Sequence, residues 1–401
     1  MSPTAIHNLG LAPTVDHVDH WLRTDHGLSA QTVGKSLEGR DIVMYAYNHA
    51  QQNDSDETDD IPVILFLSLV HGNEVMGLLS LLQTANFIVT NPGPKSFRVL
   101  FVPFVNVDAY TLNLQHGQGC RRTNLRATCN NADISRCPTP TRDGVDLNRN
   151  YPIDWRWDDE DEEENAFICS YNYHGPEPWS EPESRAVRDV VLNSNVTAAI
   201  SFHSRSSYGV RPLLIHPFTS RRPFSEMPLQ DADRFRSWSQ LLNKDNFYVA
   251  GTANEAIQYT AGGSTIDWMY SVKITPFVVE VVPPCDNRWC LSIGSQEVYG
   301  NMERYGCTGR HLIDLVTMGT ISQSSCTQST IGDLYSMKTK WATKWKSLRT
   351  QFDEESFMQI LSAGVFLFLV ALFVRYYRRR PQHTTDIEAE PEEGVELNSL
   401  V

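Results

Sequence analysis

Three places in this 401-residue chain carry side chains able to hold a cation or move a proton. The first is His71-Gly-Asn-Glu74, an imidazole and a carboxylate separated by two residues. It follows directly on the apolar run Ile61-Pro-Val-Ile-Leu-Phe-Leu-Ser-Leu-Val70. The second is His203, at the end of Val196-Thr-Ala-Ala-Ile-Ser-Phe202. The third is Glu280, inside Thr275-Pro-Phe-Val-Val-Glu-Val-Val282. Two imidazoles and one carboxylate with a fourth position left for water form the donor set of a hydrolytic zinc site. Each residue alone also has a plainer explanation. His71 and Glu74 fit a turn or a helix cap, and His203 fits a satisfied core histidine. A glutamate between two valines must be paired, protonated or chemically active, because burying it alone is too costly. Glu280 is thus either half of an ion pair or an acid/base group beside a metal-bound water.

A further cluster, Asp146-Leu-Asn-Arg-Asn150, joins a guanidinium to amides and suits two-point binding of a carboxylate. Arg121, Arg122 and Arg126 precede it and, by composition, are ordinary surface arginines.

Strands and helices must bring these groups together. Residues 61–70, 97–105, 196–202 and 275–282 are short apolar runs rich in β-branched residues, the pattern of strands buried on both faces. Val75 to Val89 has helical spacing, which puts His71 and Glu74 on a strand-to-helix turn, where open α/β sheets bind ligands. Helices are expected over 17–28, 181–192, 231–243, from 266, and over 294–318. Shorter strand-like pieces lie within 31–46 and at 213–216. Residues 51–60 and 113–145 are expected to be loops, the latter a long surface excursion. The alternation predicts an α/β fold with a mixed, mostly parallel central sheet and helices on both faces.

The formal charge is −14, with no basic footprint, so nucleic acid is excluded as a partner. Much of the acidity sits in Asp158 to Glu164 and after Pro381. Eight cysteines without a CxxC pair point to disulfides, and the sequons Asn53-Asp-Ser55 and Asn195-Val-Thr197 point the same way. Residues 1–13 show no signal peptide. Ser356 to Val374 carries no charge and is followed by Arg375-Tyr-Tyr-Arg-Arg-Arg380. At about 1.5 Å per residue it spans roughly 28 Å, enough for a membrane helix. The basic cluster orients the tail to the cytoplasm and the large domain outward or to a lumen. A tail-anchored arrangement with a cytosolic domain is the alternative. The expected organisation is an N-terminal tail 1–14, a catalytic domain 15–325, a stalk 326–355, a transmembrane helix 356–374 and an acidic tail 375–401.

Taken together, His71-Gly-Asn-Glu74, Gly144-Val-Asp-Leu-Asn-Arg-Asn150, Ser201-Phe-His-Ser204, Tyr259-Thr-Ala-Gly-Gly-Ser264 with Ile266-Asp-Trp268, and Phe277-Val-Val-Glu280 resemble the zinc metallocarboxypeptidases. Weaker echoes are Gly34-Lys-Ser-Leu-Glu-Gly-Arg-Asp41, Ser180-Glu-Pro-Glu-Ser184 and His216-Pro217. The resemblance covers roughly residues 15–318. It implies one zinc ion held by His71, Glu74 and His203, with Asp146 hydrogen-bonded to a zinc-binding histidine. It implies that Asn148 and Arg149 bind the C-terminal carboxylate of a peptide, that Tyr259 closes over it, and that Glu280 is the general base. Arg122, or in an alternative register Arg121, would stabilise the oxyanion. Ile266 would form the base of the side-chain pocket, favouring hydrophobic or aromatic C-terminal residues. Cys137 and Cys169 match a disulfide of the pancreatic branch. His71-Gly-Asn-Glu74 is closer to carboxypeptidases N, E and D, whereas the 259–268 segment is closer to the pancreatic enzymes. A same-fold deacylase of non-peptide substrates and an inert peptide-binding ectodomain are the rival expectations.

Overall fold

The computed structural model describes residues 9–50, 61–117, 119–129, 143–156, 168–204, 211–220, 224–244, 246–282 and 295–321. Contacts divide the chain into Met1–Tyr335 and Ser336–Val401, and all described residues lie in the first unit. The expected membrane helix, stalk and acidic tail fall outside them. Among the described residues no helix is long and apolar enough to cross a membrane.

Eight strands form one sheet: β1 (Ser29–Lys35), β2 (Asp41–His49), β3 (Val63–Ser68), β4 (Phe97–Val102), β5 (Val196–Ser204), β6 (Leu213–Ile215), β7 (Val249–Gly251) and β8 (Thr275–Val281). Their spatial order is β1-β2-β4-β3-β5-β8-β6-β7. Pairing is parallel across β4/β3, β3/β5, β5/β8 and β6/β7, and antiparallel across β1/β2, β2/β4 and β8/β6. β3 is buried along its whole length, as a continuous apolar run requires of a strand covered on both faces.

The helices are α1 (Val15–His20), α2 (Val75–Thr90), α3 (Val107–His116), α4 (Pro182–Asn193), α5 (Leu229–Leu242), α6 (Ala253–Ile257), α7 (Thr265–Ser271) and α8 (Ser295–Met318). α2 is buried around most of its circumference, because it lies against the sheet and is covered in turn by α8. After β3 the chain runs through α2 to β4, one neighbour of β3, whereas its other neighbour is β5. That reversal opens a crevice at the carboxyl ends of β3 and β5, where an open α/β sheet takes its ligand.

Two expectations need correction. The stretch from 113 is not all surface excursion. α3 runs to His116, capped by the Asn106 side chain at its start and by left-handed Gly117 at its end. Residues 121–125 then return into the interior, with Arg121, Thr123, Asn124 and Leu125 buried. The disulfide at Cys169 is made with Cys129, not Cys137. Cys129 ends the described segment 119–129, where Asp143 accepts its backbone N–H, and Cys137 lies outside the described residues. β7 and α6 are additions that the sequence pattern did not predict.

Candidate metal centre and carboxylate-binding site

The crevice gathers the three proposed ligands. His71 and Glu74 sit on the turn between β3 and α2, and His203 is near the end of β5. Two glycines let the backbones approach. A Cβ on Gly72 would lie 2.4 Å from the Ala109 Cβ, and one on Gly77 would lie 2.6 Å from the Phe202 carbonyl oxygen. The second contact presses the first turn of α2 onto the strand end that carries His203, which brings Glu74 to that histidine.

Nδ1 of His71 lies 3.0 Å from Oε1 of Glu74. Nδ1 of His203 lies 2.9 Å from Oε2 of Glu74 and 3.1 Å from Nδ1 of His71. All three side chains are buried. The outer nitrogens are fixed by hydrogen bonds. Nε2–H of His71 donates to Oδ1 of Asp146 at 2.9 Å, and Nε2 of His203 meets Oγ of Ser201 at 3.0 Å. Those partners turn the two Nδ1 atoms towards each other.

Burial opposes charge on Glu74, yet hydrogen bonds and charge from His71 and His203 hold its carboxyl well below the usual carboxylate range. Burial likewise opposes a charged His203, but Glu74 prevails and raises its pKa. A proton on Nδ1 of His203 is thus held where a cation would be held, and metal binding would release it.

This donor set fits zinc. With bonds of about 2.0–2.1 Å, a tetrahedral site has ligand–ligand edges of roughly 3.3 Å, close to the separations present. Ser204 supports the cluster by donating its backbone N–H to Oε2 of Glu74 at 3.2 Å.

Glu280 faces this cluster from β8, in direct register with His203 of β5. Burial, followed by the charge of Glu74, raises its pKa, and the His203 charge opposes the rise. A carboxyl tuned upward beside a metal position is suited to take a proton from water and return it.

Of the consecutive arginines, Arg122 turns into the site. Nη1 lies 3.1 Å from Nδ1 of His71 and 3.3 Å from Oε1 of Glu74, while Nη2 donates to Oδ2 of Asp146 at 2.8 Å. Arg121 turns the other way, donating to the Asn124 carbonyl at 3.2 and 2.7 Å. It is therefore not placed for the oxyanion role that its register allowed.

Oδ1 of Asn148 accepts both the backbone N–H and the hydroxyl of Thr265, at 3.0 and 2.9 Å. That fixes the flip of its amide and leaves Nδ2 as the free-facing donor. Arg149 donates from Nη2 to the Tyr259 hydroxyl at 2.7 Å and lies 5.6 Å from that ring's centre. Tyr259 is 39% exposed. Arg149 also acts electrostatically on Arg122 and Asp146, so this candidate carboxylate-binding group adjoins the candidate metal cluster. Ile266, 1% exposed, packs with Leu213, Ile215, Ala253 and Val278 in a small apolar cluster. Asp267 beside it faces away, accepting the N–H groups of Phe218 and Thr219.

The family model for zinc carboxypeptidases matches residues 21–294, more than half of the chain. The chain belongs to the zinc carboxypeptidase family. Carboxypeptidase A5 of Macaca fascicularis is 26% identical over 269 residues, covering 65% of this chain and 57% of that protein. Carboxypeptidase B2 of Rattus norvegicus is 30% identical over 187 residues, covering 45% of this chain and 40% of that protein. This zinc carboxypeptidase chain thus spans about half the length of those relatives. Among solved structures, carboxypeptidase A from Helicoverpa armigera superposes with a TM-score of 0.58 at 21% identity, over 76% of this chain and 73% of that one. Bovine thrombin-activatable fibrinolysis inhibitor, solved with a tick carboxypeptidase inhibitor, gives 0.57 at 20% identity, over 75% and 97%. These likenesses establish the shared fold.

Residues outside the sequence-based site also converge on it. Asn124, Glu181 and Glu183 form a buried polar cluster behind Arg122, with Asn124 donating to Glu181 at 2.6 Å. The Ser180–Ser184 and Gly34–Asp41 echoes were the available signal, since the Leu37 N–H donates to Glu183 at 2.9 Å.

Proposed function

We propose that the chain is a zinc-dependent carboxypeptidase that releases single C-terminal residues from peptides, with a preference for hydrophobic or aromatic side chains. The observation that carries this reading is Arg149, joined to Tyr259 and adjacent to Asn148, beside the His71–Glu74–His203 cluster. A fixed guanidinium and amide donor there demand a free terminal carboxylate, which defines an exopeptidase.

Zinc bound at His71, Glu74 and His203 would polarise the scissile carbonyl and acidify the attacking water. Glu280 takes a proton from that water on its carboxylate and later gives it to the leaving nitrogen. Arg122 keeps Nη2 on Asp146 and offers Nη1 to the oxygen that gains charge, a contribution typically of a few kcal/mol. Asp146 keeps His71 in the tautomer with Nδ1 unprotonated. Tyr259 closes the carboxylate end against water.

Ile266 and its apolar neighbours offer no charge to a lysine or arginine side chain, which supports the hydrophobic preference. For the region after 355, the uncharged stretch 356–374 and the basic cluster behind it support a single-pass anchor with the catalytic domain outside the cytosol. The Cys129–Cys169 disulfide agrees with an oxidising compartment. Glycosidase sensitivity of protein expressed in animal cells tests that orientation, because a lumenal domain exposes Asn195 to glycosylation and a cytosolic one does not.

The deciding experiment compares a peptide ending in phenylalanine with the same peptide amidated at its C-terminus. Release of phenylalanine from the first alone supports the reading. Cleavage of both, or deacylation of a non-peptide amide in preference, favours a different hydrolase of this fold.

A further inference from the structure

Arg122 lies on a segment with no strand or helix of its own, so its aim must come from the side chains that hold residues 121–126. The Arg122 carbonyl accepts from the Gly72 N–H and from Nδ2 of Asn106, and one residue makes several of the remaining contacts. Oδ1 of Asn124 accepts the N–H groups of Val145 at 2.9 Å and Arg126 at 3.3 Å. Nδ2 of Asn124 donates to Oε2 of Glu181 at 2.6 Å and to Oε2 of Glu183 at 3.3 Å. Its backbone N–H donates to the Val145 carbonyl at 3.0 Å, and its carbonyl receives the Arg121 guanidinium. Val145 precedes Asp146, the carboxylate that anchors Nη2 of Arg122. Asn124 therefore ties the segment bearing Arg122 to the segment bearing its anchor.

The far side of this tie is equally fixed. Glu181 takes Nε of Arg126 on both oxygens, at 2.8 and 2.9 Å, and its own N–H donates to Oδ1 of Asn150 at 3.1 Å. Glu183 receives the Leu37 N–H from the β1–β2 turn. Asn124, Glu181 and Glu183 are all fully buried. Two adjacent carboxyl groups buried together are a costly arrangement, tolerable only when their hydrogen bonds are made. The carboxamide of Asn124 is the one group here that donates to the carboxylates and accepts from the backbone at the same time.

We propose that Asn124, clamped by Glu181, is the positioning residue that aims the Arg122 guanidinium at the oxyanion position. It touches no reacting atom and acts only through Arg122. The role rests on the carboxypeptidase reading for its purpose, but its test does not depend on turnover.

The test is a double-mutant cycle on the full-length, zinc-loaded protein, read by calorimetry. One probe is a phosphonate analogue of a dipeptide ending in phenylalanine, whose tetrahedral oxygens require Arg122. The other is free phenylalanine, which uses the Asn148–Arg149–Tyr259 carboxylate site and the side-chain pocket but not Arg122. Asn124→Ala should weaken phosphonate binding about tenfold or more and leave phenylalanine binding within about twofold. In an Arg122→Ala background the same change should add less than about twofold. Glu181→Gln, which keeps an acceptor for Nδ2, should bind the phosphonate several-fold more tightly than Glu181→Leu. This second pair decides the matter should Asn124→Ala fail to fold. Equal losses for both probes, equal losses in both backgrounds, or indistinguishable Glu181 variants would overturn the proposal. A wild type that binds the phosphonate but leaves peptides intact would sink the carboxypeptidase reading while the aiming of Arg122 by Asn124 stood.

Discussion

His203 and Glu280 are direct partners across the parallel pair β5/β8. The spacing between a candidate zinc ligand and the candidate base is therefore set by a sheet ladder, whose strands stand about 4.8 Å apart, rather than by loops. Glu74 joins them through α2, pressed onto β5 at Gly77. Glu280, His203 and Glu74 are thus held by paired strands and by the helix packed on them.

Arg149→Lys should raise KM for free-carboxylate peptides about 10- to 100-fold and change kcat much less. A point charge replaces a two-pronged donor that binds substrate and transition state alike. Steady-state kinetics on free and amidated peptides would check it. An unchanged KM would remove Arg149 from carboxylate binding.

Ile266→Asp should move the preference from C-terminal phenylalanine towards lysine or arginine. Burying an uncompensated carboxylate in the apolar cluster with Leu213, Ile215 and Val278 penalises an apolar side chain and rewards a cationic one. The ratio of kcat/KM for the two peptides would be measured. An unchanged ratio would mean that Ile266 does not line the pocket.

Stability should depend on pH through Glu183. Burial, with the neighbouring Glu181 charge adding to it, raises its carboxyl to about 7 despite hydrogen bonds from Leu37 and Asn124. The folded pKa is above the unfolded one, so this contribution is fully present below about pH 4.5 and is lost as pH rises through about 7. The shift corresponds to roughly 3 kcal/mol. Glu183→Gln should match the wild type near pH 5, melt higher near pH 8, and flatten the decline between. Parallel melting curves across that range would contradict it.

Replacing Cys129 and Cys169 together by alanine should cost about 2–4 kcal/mol, because the bridge closes a loop across a separation of 40 residues. Denaturant unfolding of the oxidised protein and the double variant gives the difference. Peptide mapping that joined Cys169 to any other cysteine would overturn the pairing.

The sequence made parts of this structure plain and hid others, for physical reasons. β3, β5 and β8 are apolar on both faces, so their ends, and with them His71, His203 and Glu280, stood out. α3 carried its own signals, an asparagine cap and a closing glycine, but its polar surface blurred the helical spacing. β7, three residues long, has too little pattern to detect. Arg121 and Arg122 could not be told apart because an irregular segment has no period that assigns faces. The hydrogen bonds separate them: the Arg122 guanidinium meets Glu74 and Asp146, and that of Arg121 donates to the Asn124 carbonyl. The partner of Cys169 was equally hidden, since spacing along a chain does not fix which cysteine comes near in space.

The most direct test of the central claim is Glu280→Gln, assayed for zinc content and for release of C-terminal phenylalanine. Glutamine keeps the shape and hydrogen-bonding oxygen but cannot accept the proton of water. The variant should keep zinc at the wild-type stoichiometry while kcat falls by about 10²-fold or more. Full activity with zinc retained would contradict the assignment of Glu280 and the hydrolytic mechanism built on it.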